Sequence, residues 1–111
     1  MAFSRDAEWG EMNVAFEGLP AGIDTAPLFR GLPDDRCQCP HWGVLLKGRL
    51  RVRYADREEI VEAGQAYYMP PGHTVSVEDD CEMLHFSPRG EYARTLAAIR
   101  RNVAAMAACG R

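Results

Sequence analysis

Trp42-Gly43-Val44-Leu45-Leu46-Lys47-Gly48-Arg49-Leu50-Arg51-Val52-Arg53-Tyr54 is continuous β-type sequence, with no proline to interrupt it. After Gly48, Leu50, Val52 and Tyr54 alternate with Arg49, Arg51 and Arg53, which gives one apolar and one basic face. Before Gly48 the alternation fails, because Val44, Leu45 and Leu46 are all apolar. A bulge at Lys47-Gly48 reconciles the two halves by switching the inward face from odd to even positions. Cys37, Cys39, His41, Gly43 and Leu45 then share one face before the bulge. The arginine row reads as a solvated face that Glu58, Glu59 and Glu62 pair with across a hairpin turned at Ala55-Asp56-Arg57-Glu58.

Short strand signals continue on both sides. Ile60-Val61 follows the hairpin, Ala63-Gly64-Gln65 turns the chain, and residues 66–69 form a strand that Pro70-Pro71 stops. Val75 and Val77 alternate with Ser76 and Glu78, and Asp79-Asp80 reads as a turn into a last strand at 81–86. Upstream, residues 1–11 read as a flexible terminus and residues 12–16 as a strand. Gly18-Leu19-Pro20-Ala21-Gly22 breaks that strand, an extended piece follows around Pro27 to Pro33, and Asp34-Asp35-Arg36 is a turn. Many short strands at this spacing predict an all-β domain over residues 12–88, a sandwich or barrel.

The period then changes. Tyr92, Leu96, Ile99, Val103 and Met106 fall on one helical stripe, which predicts an amphipathic C-terminal helix over 89–110. Ser87 is the expected cap, Pro88 the first helical residue, and Gly110 the stop. The alanines of this helix permit close packing, either as a cover over an open edge or against a second subunit in a homodimer.

With 111 residues and 47% hydrophobic content the chain is one domain with a core of its own. A net charge of −3 gives no electrostatic reason to expect nucleic acid or an anionic membrane as partner. Residues 1–10 are polar, unlike a signal peptide, and no apolar run approaches the roughly 20 residues that span a bilayer. A cytoplasmic location is therefore expected, with the four cysteines as thiols.

Chemistry-bearing side chains concentrate in two clusters, Cys37-Gln38-Cys39-Pro40-His41 and Pro70-Pro71-Gly72-His73. Thiolate and imidazole together favour zinc or iron over magnesium or calcium. His85, between apolar neighbours, reads as a hydrogen-bonded barrel-wall or surface residue, with reach into the site as the lesser alternative; Cys81 reads as core and Cys109 as incidental. Trp42, Tyr67, Tyr68 and Met69 read as core or as pocket lining.

Gly64, five residues, then Pro70-Pro71-Gly72-His73 resembles the second motif of the cupin superfamily, G-x5-P-x-G followed by a histidine. The stretch from His41 to Leu50 looks like the end of the first motif, where a strand runs into a glycine bulge. The resemblance spans residues 37–88 and implies a small single-domain cupin: a jelly-roll β-barrel, or double-stranded β-helix, with a C-terminal α-helix. It also implies a metal inside the barrel, held in the family by H-x-H and a glutamate of the first motif and a histidine of the second. Here H-x-H is absent. Counting back from Gly48, His41 stands where the glutamate lies, Cys37 near the second histidine and Asp35 near the first, while His73 comes two residues before the regular position, Val75. The metal role carries over onto His41, His73, Cys39 and Cys37, with the two cysteines as competing third ligands. The readings that follow are a metal-dependent enzyme acting on a small organic molecule, and a non-catalytic cupin that binds a small ligand or metal as sensor or carrier; the alanine-rich helix adds a structural role as a dimerising accessory domain. The missing H-x-H favours the second.

Overall fold

The computed structural model describes residues 2–109 of the 111. Six strands run in chain order as β1 (Phe3–Trp9), β2 (Met12–Leu19), β3 (His41–Arg53), β4 (Glu58–Glu62), β5 (Ala66–Met69) and β6 (Thr74–Pro88), and helix α1 (Arg89–Cys109) leaves β6 without a loop. All ladders are antiparallel, in the order β1-β2-β6-β3-β4, with β5 also on β3. The first half of β3 pairs with β5 and the second half with β4, while β6 runs along its other side. Among the described residues no ladder joins the two ends of this order. The three described cysteine side chains are free and buried. No described helix is long and apolar enough to cross a membrane.

The bulge in β3 lies where the alternation places it. The β3–β6 register shifts on both sides of Lys47 and again after Arg49. Gly48 has φ +94°, and a Cβ there would come within 2.4 Å of the Asp80 carbonyl oxygen, so the position excludes a side chain twice over. Inward positions change parity across it: Leu45 is buried before the bulge, and Leu50, Val52 and Tyr54 after it. These residues join Val61, Met69, Val77, Cys81 and Met83 in the main core. The basic face pairs with acids as expected, Arg51 reaching Glu58 at 2.9 Å and Arg53 reaching Glu58 at 3.1 Å. Glu78 joins this network at 2.9 Å from Arg49 and 2.7 Å from Arg51.

Several local expectations give way to tertiary context. Phe3–Trp9, read from sequence as part of a flexible terminus, is a strand paired with β2 along its whole length, although all seven residues are exposed. Asp79-Asp80 does not turn the chain: β6 continues through both, opposite the bulge of β3. The piece between Pro27 and Pro33 is not extended but holds 3-10 turns at Ala26–Phe29 and Pro33–Asp35. Ser87 and Pro88 belong to β6, so neither caps α1; the Arg89 amide instead donates to the Glu11 carbonyl at 2.9 Å. Gly110, the expected stop, lies outside the described residues, as does the side chain of Cys109.

Helix α1 packs within the chain. Tyr92 and Ile99 lie against a second cluster formed by Phe29, Cys37 and Cys39. Asn102 ties the helix down, its Nδ2 donating to the carbonyls of Leu28 at 2.7 Å and Arg30 at 3.0 Å. The stripe is only half covered, since Val103 and Met106 remain exposed.

Candidate metal centre and cavity

The two clusters meet through the backbone. Cys37 and His73 form an isolated bridge, with the Cys37 amide donating to the His73 carbonyl at 2.9 Å and the Gly72 amide to the Cys37 carbonyl at 2.8 Å. Gly72 takes φ +96° at the end of the Pro-Pro-Gly turn, a backbone setting suited to glycine, and the chain then delivers His73 inward. His41 arrives from the start of β3, on the odd-numbered inward face that the bulge defines.

Cys37 Sγ and one ring nitrogen each of His41 and His73 all lie within 4.8 Å of one another. The thiol is 3.7 Å from His41 Nε2. The outer ring nitrogens are occupied: His73 Nδ1–H donates to the Pro70 carbonyl at 2.8 Å, and His41 Nδ1 shares a 2.6 Å hydrogen bond with Ser87 Oγ. With Nδ1 engaged in this way on both rings, Nε2 is the remaining nitrogen of each. It offers a lone pair on His73, and on His41 in the tautomer whose Nδ1–H donates to Ser87, the arrangement in which a histidine is oriented to bind a metal. Soft sulfur with two imidazoles fits zinc or ferrous iron, and three ligands leave a position open. Burial holds the His41 imidazole well below its usual range, reinforced by His85 and His73. Burial lowers His73 as well, against its hydrogen bond to Pro70. Both rings are thus neutral and available at pH 7. Burial pushes the Cys37 thiol up to about 11.

Cys39 does not join the group. It is fully buried, its thiol turned to the Pro40 carbonyl at 3.5 Å and packed in the cluster with Phe29, and burial with the neighbouring Cys37 raises it to about 12. The two cysteines stand on opposite sides of this competition because the Cys37–His73 bridge fixes only the first beside the histidines. Cys81 is core, as expected.

A cavity of about 300 Å³ opens beside the three donors. Its walls are mainly apolar, with Leu50, Met69 and Val75 from the strands and Tyr92, Leu96 and Ile99 from α1. Two of the aromatic candidates divide by strand parity: Tyr67 faces the cavity, while Tyr68 stacks on Trp42 on the outer surface at 5.1 Å.

Two polar residues of the cavity carry more weight than their sequence context conveys. His85 faces inward with its ring 5.0 Å from that of His41, and its Nε2–H donates to Glu17 Oε1 at 2.5 Å. Burial raises the Glu17 carboxyl, but the hydrogen bond and charge of His85 outweigh it, and the group sits below its ordinary range. The available signal for Glu17 was a lone acid inside the otherwise apolar run from Val14 to Leu19.

No protein-family model matches this sequence, and no curated protein matches it. Solved structures do. A cupin 2 domain-containing protein from Halorhodospira halophila superposes with a TM-score of 0.62 at 16% identity, over 90% of this chain and 81% of its own. A cupin superfamily protein from Desulfitobacterium hafniense gives 0.62 at 11% identity, over 79% and 77%. A cupin-2 domain containing protein from Shewanella frigidimarina gives 0.57 at 16% identity, over 78% and 80%. With the bulged β3, the Pro-Pro-Gly turn and the inward histidines already in place, these likenesses establish that the chain has the cupin fold, with a C-terminal helix added.

Proposed function

We propose that the protein holds a transition-metal ion, zinc or iron, on Cys37, His41 and His73, and uses the adjoining cavity to bind a small organic molecule next to it. The observation that carries this reading is the convergence of one thiol and two oriented imidazoles within 4.8 Å. A bound ion would supply Lewis-acid polarisation of a ligand oxygen at its open position. The chain's own contribution is to orient the rings through Pro70 and Ser87 and to exclude water with apolar walls. A reducing, cytoplasmic setting suits a thiol ligand.

Elemental analysis of the purified protein tests it. A stoichiometric ion is expected in the wild type and in Cys39→Ser, and its loss in His41→Ala, His73→Ala and Cys37→Ser. Wild-type protein that takes up neither zinc nor iron while folded would remove the metal from the account. The cavity supports a second reading, in which the interior binds its ligand without a metal and without catalysis. Ligand binding unchanged after chelation would favour that alternative.

A further inference from the structure

Gly43, Tyr67 and His85 stand in one cross-strand row, Gly43 paired with Tyr67 of β5 on one side and with His85 of β6 on the other. A Cβ on Gly43 would lie 2.8 Å from Tyr67 Cζ and 2.8 Å from His85 Cβ. The missing side chain is therefore what lets the Tyr67 ring lie across β3 towards His85. Tyr67 Oη ends up buried with no hydrogen-bond partner among the described residues, although Tyr67 lines the cavity. Buried hydroxyls are nearly always paired, so an orphan on a cavity-lining side chain is a donor that a molecule in the cavity satisfies once the ring turns to meet it. Burial and the nearby Glu17 keep that hydroxyl protonated at any physiological pH.

The remaining lining narrows the chemistry. No lysine or arginine is among the described residues that line the cavity, and its one acid, Glu17, is already engaged by His85. A carboxylate or phosphate would thus meet no lysine or arginine, and His85 is already hydrogen-bonded to Glu17. Most of the wall is apolar. About 300 Å³ is at the lower end of the range for small-molecule sites.

We propose that Tyr67 selects the ligand of this cavity: a neutral, largely apolar molecule about the size of one substituted ring, whose single carbonyl or hydroxyl oxygen accepts a hydrogen bond from Tyr67 Oη. This rests on the reading of the interior as a small-molecule site, and it does not depend on the metal. Chelator-treated wild-type protein and Tyr67→Phe are titrated with acetophenone, ethylbenzene and benzoate, followed by NMR, with the metal content of each sample measured separately. Wild type should bind acetophenone about tenfold more tightly than ethylbenzene, as one net hydrogen bond gives, and more tightly than benzoate. Tyr67→Phe should lose most of the preference for acetophenone and keep its ethylbenzene affinity. In wild-type protein carrying ¹³C-labelled tyrosine, the Tyr67 Cζ resonance should move with acetophenone and not with ethylbenzene, a readout that needs no variant. Equal binding of the two neutral probes, or a preference that survives in Tyr67→Phe, overturns the role of Tyr67 while leaving the cavity as a ligand site. Failure of all three probes to bind overturns both. Tyr67-dependent selection in protein that never takes up metal supports the proposal and counts against the metal centre alone.

Discussion

Replacing Gly48 by alanine separates two costs that the structure places at one residue. Gly48 and Gly64 have nearly the same backbone, φ +94° and +88°, but different surroundings. At Gly64 a Cβ meets nothing within 4 Å, so Gly64→Ala should cost only the left-handed strain, about 1–2 kcal/mol. At Gly48 the Cβ would lie 2.4 Å from the Asp80 oxygen and 2.8 Å from Cys81 Cα, both of them backbone of β6. Side-chain rotation cannot relieve that collision; β3 and β6 must move apart, at an added cost of about 1–3 kcal/mol by analogy with overpacked cores. Gly48→Ala should therefore be destabilised by about 2–5 kcal/mol in total, roughly 2 more than Gly64→Ala. Urea unfolding at neutral pH measures both, with equal slopes required so that midpoints report stability. Two variants within about 0.5 kcal/mol of each other would refute the claim that contact with β6 pins the bulge.

Glu17→Gln should lose about 1.5–3 kcal/mol at pH 7, the worth of a hydrogen bond to a charged group. Because the folded Glu17 carboxyl lies below 4.5, its contribution is present above that value and lost as pH falls through the folded pKa, so melting temperatures of wild type and variant should converge in acid. In metal-free protein His41 and His73 are held below 6.5, so stability should be full above 6.5 and fall as pH drops below it, by up to about 1.4 kcal/mol per pH unit for each ring. His73→Gln should flatten that slope, read as melting temperature against pH. Asn102→Ala removes both bonds to the Leu28 and Arg30 carbonyls and should cost about 1–2 kcal/mol, with faster amide exchange in α1 than in β3 as the local signature.

What the sequence made legible is what depends on spacing along one strand or turn. The parity switch at Gly48 needs only the failed alternation at Val44 to Leu46, and His41 and His73 follow from that strand and the Pro-Pro-Gly turn. Partnerships across the sheet were not legible in the same way. Glu17 and His85 are 68 positions apart and meet only because β2 lies beside β6. Asp79-Asp80 has the composition of a turn, yet β6 runs through it because the bulge of β3 lies opposite. Ser87 has the signature of a helix cap, but its hydroxyl is used by His41 instead. In each case a local preference worth about 1 kcal/mol gave way to a tertiary contact.

The direct passage from β6 into α1 makes the cavity unequal on its two sides. The strand side is knitted into ladders, and deforming it breaks several backbone bonds at once. The helix side is held by apolar packing and by Asn102, and its last turns, with Val103 and Met106 uncovered, add little. The chain passes from strand to helix where Pro88 meets Arg89, just beyond the Ser87 that steadies His41. An opening of the interior would therefore cost least on the α1 side, and a displacement of α1 about that junction would act on the ring of His41 through Ser87. On the proposed reading, admission of a molecule and the hold on an ion would be coupled through Ser87.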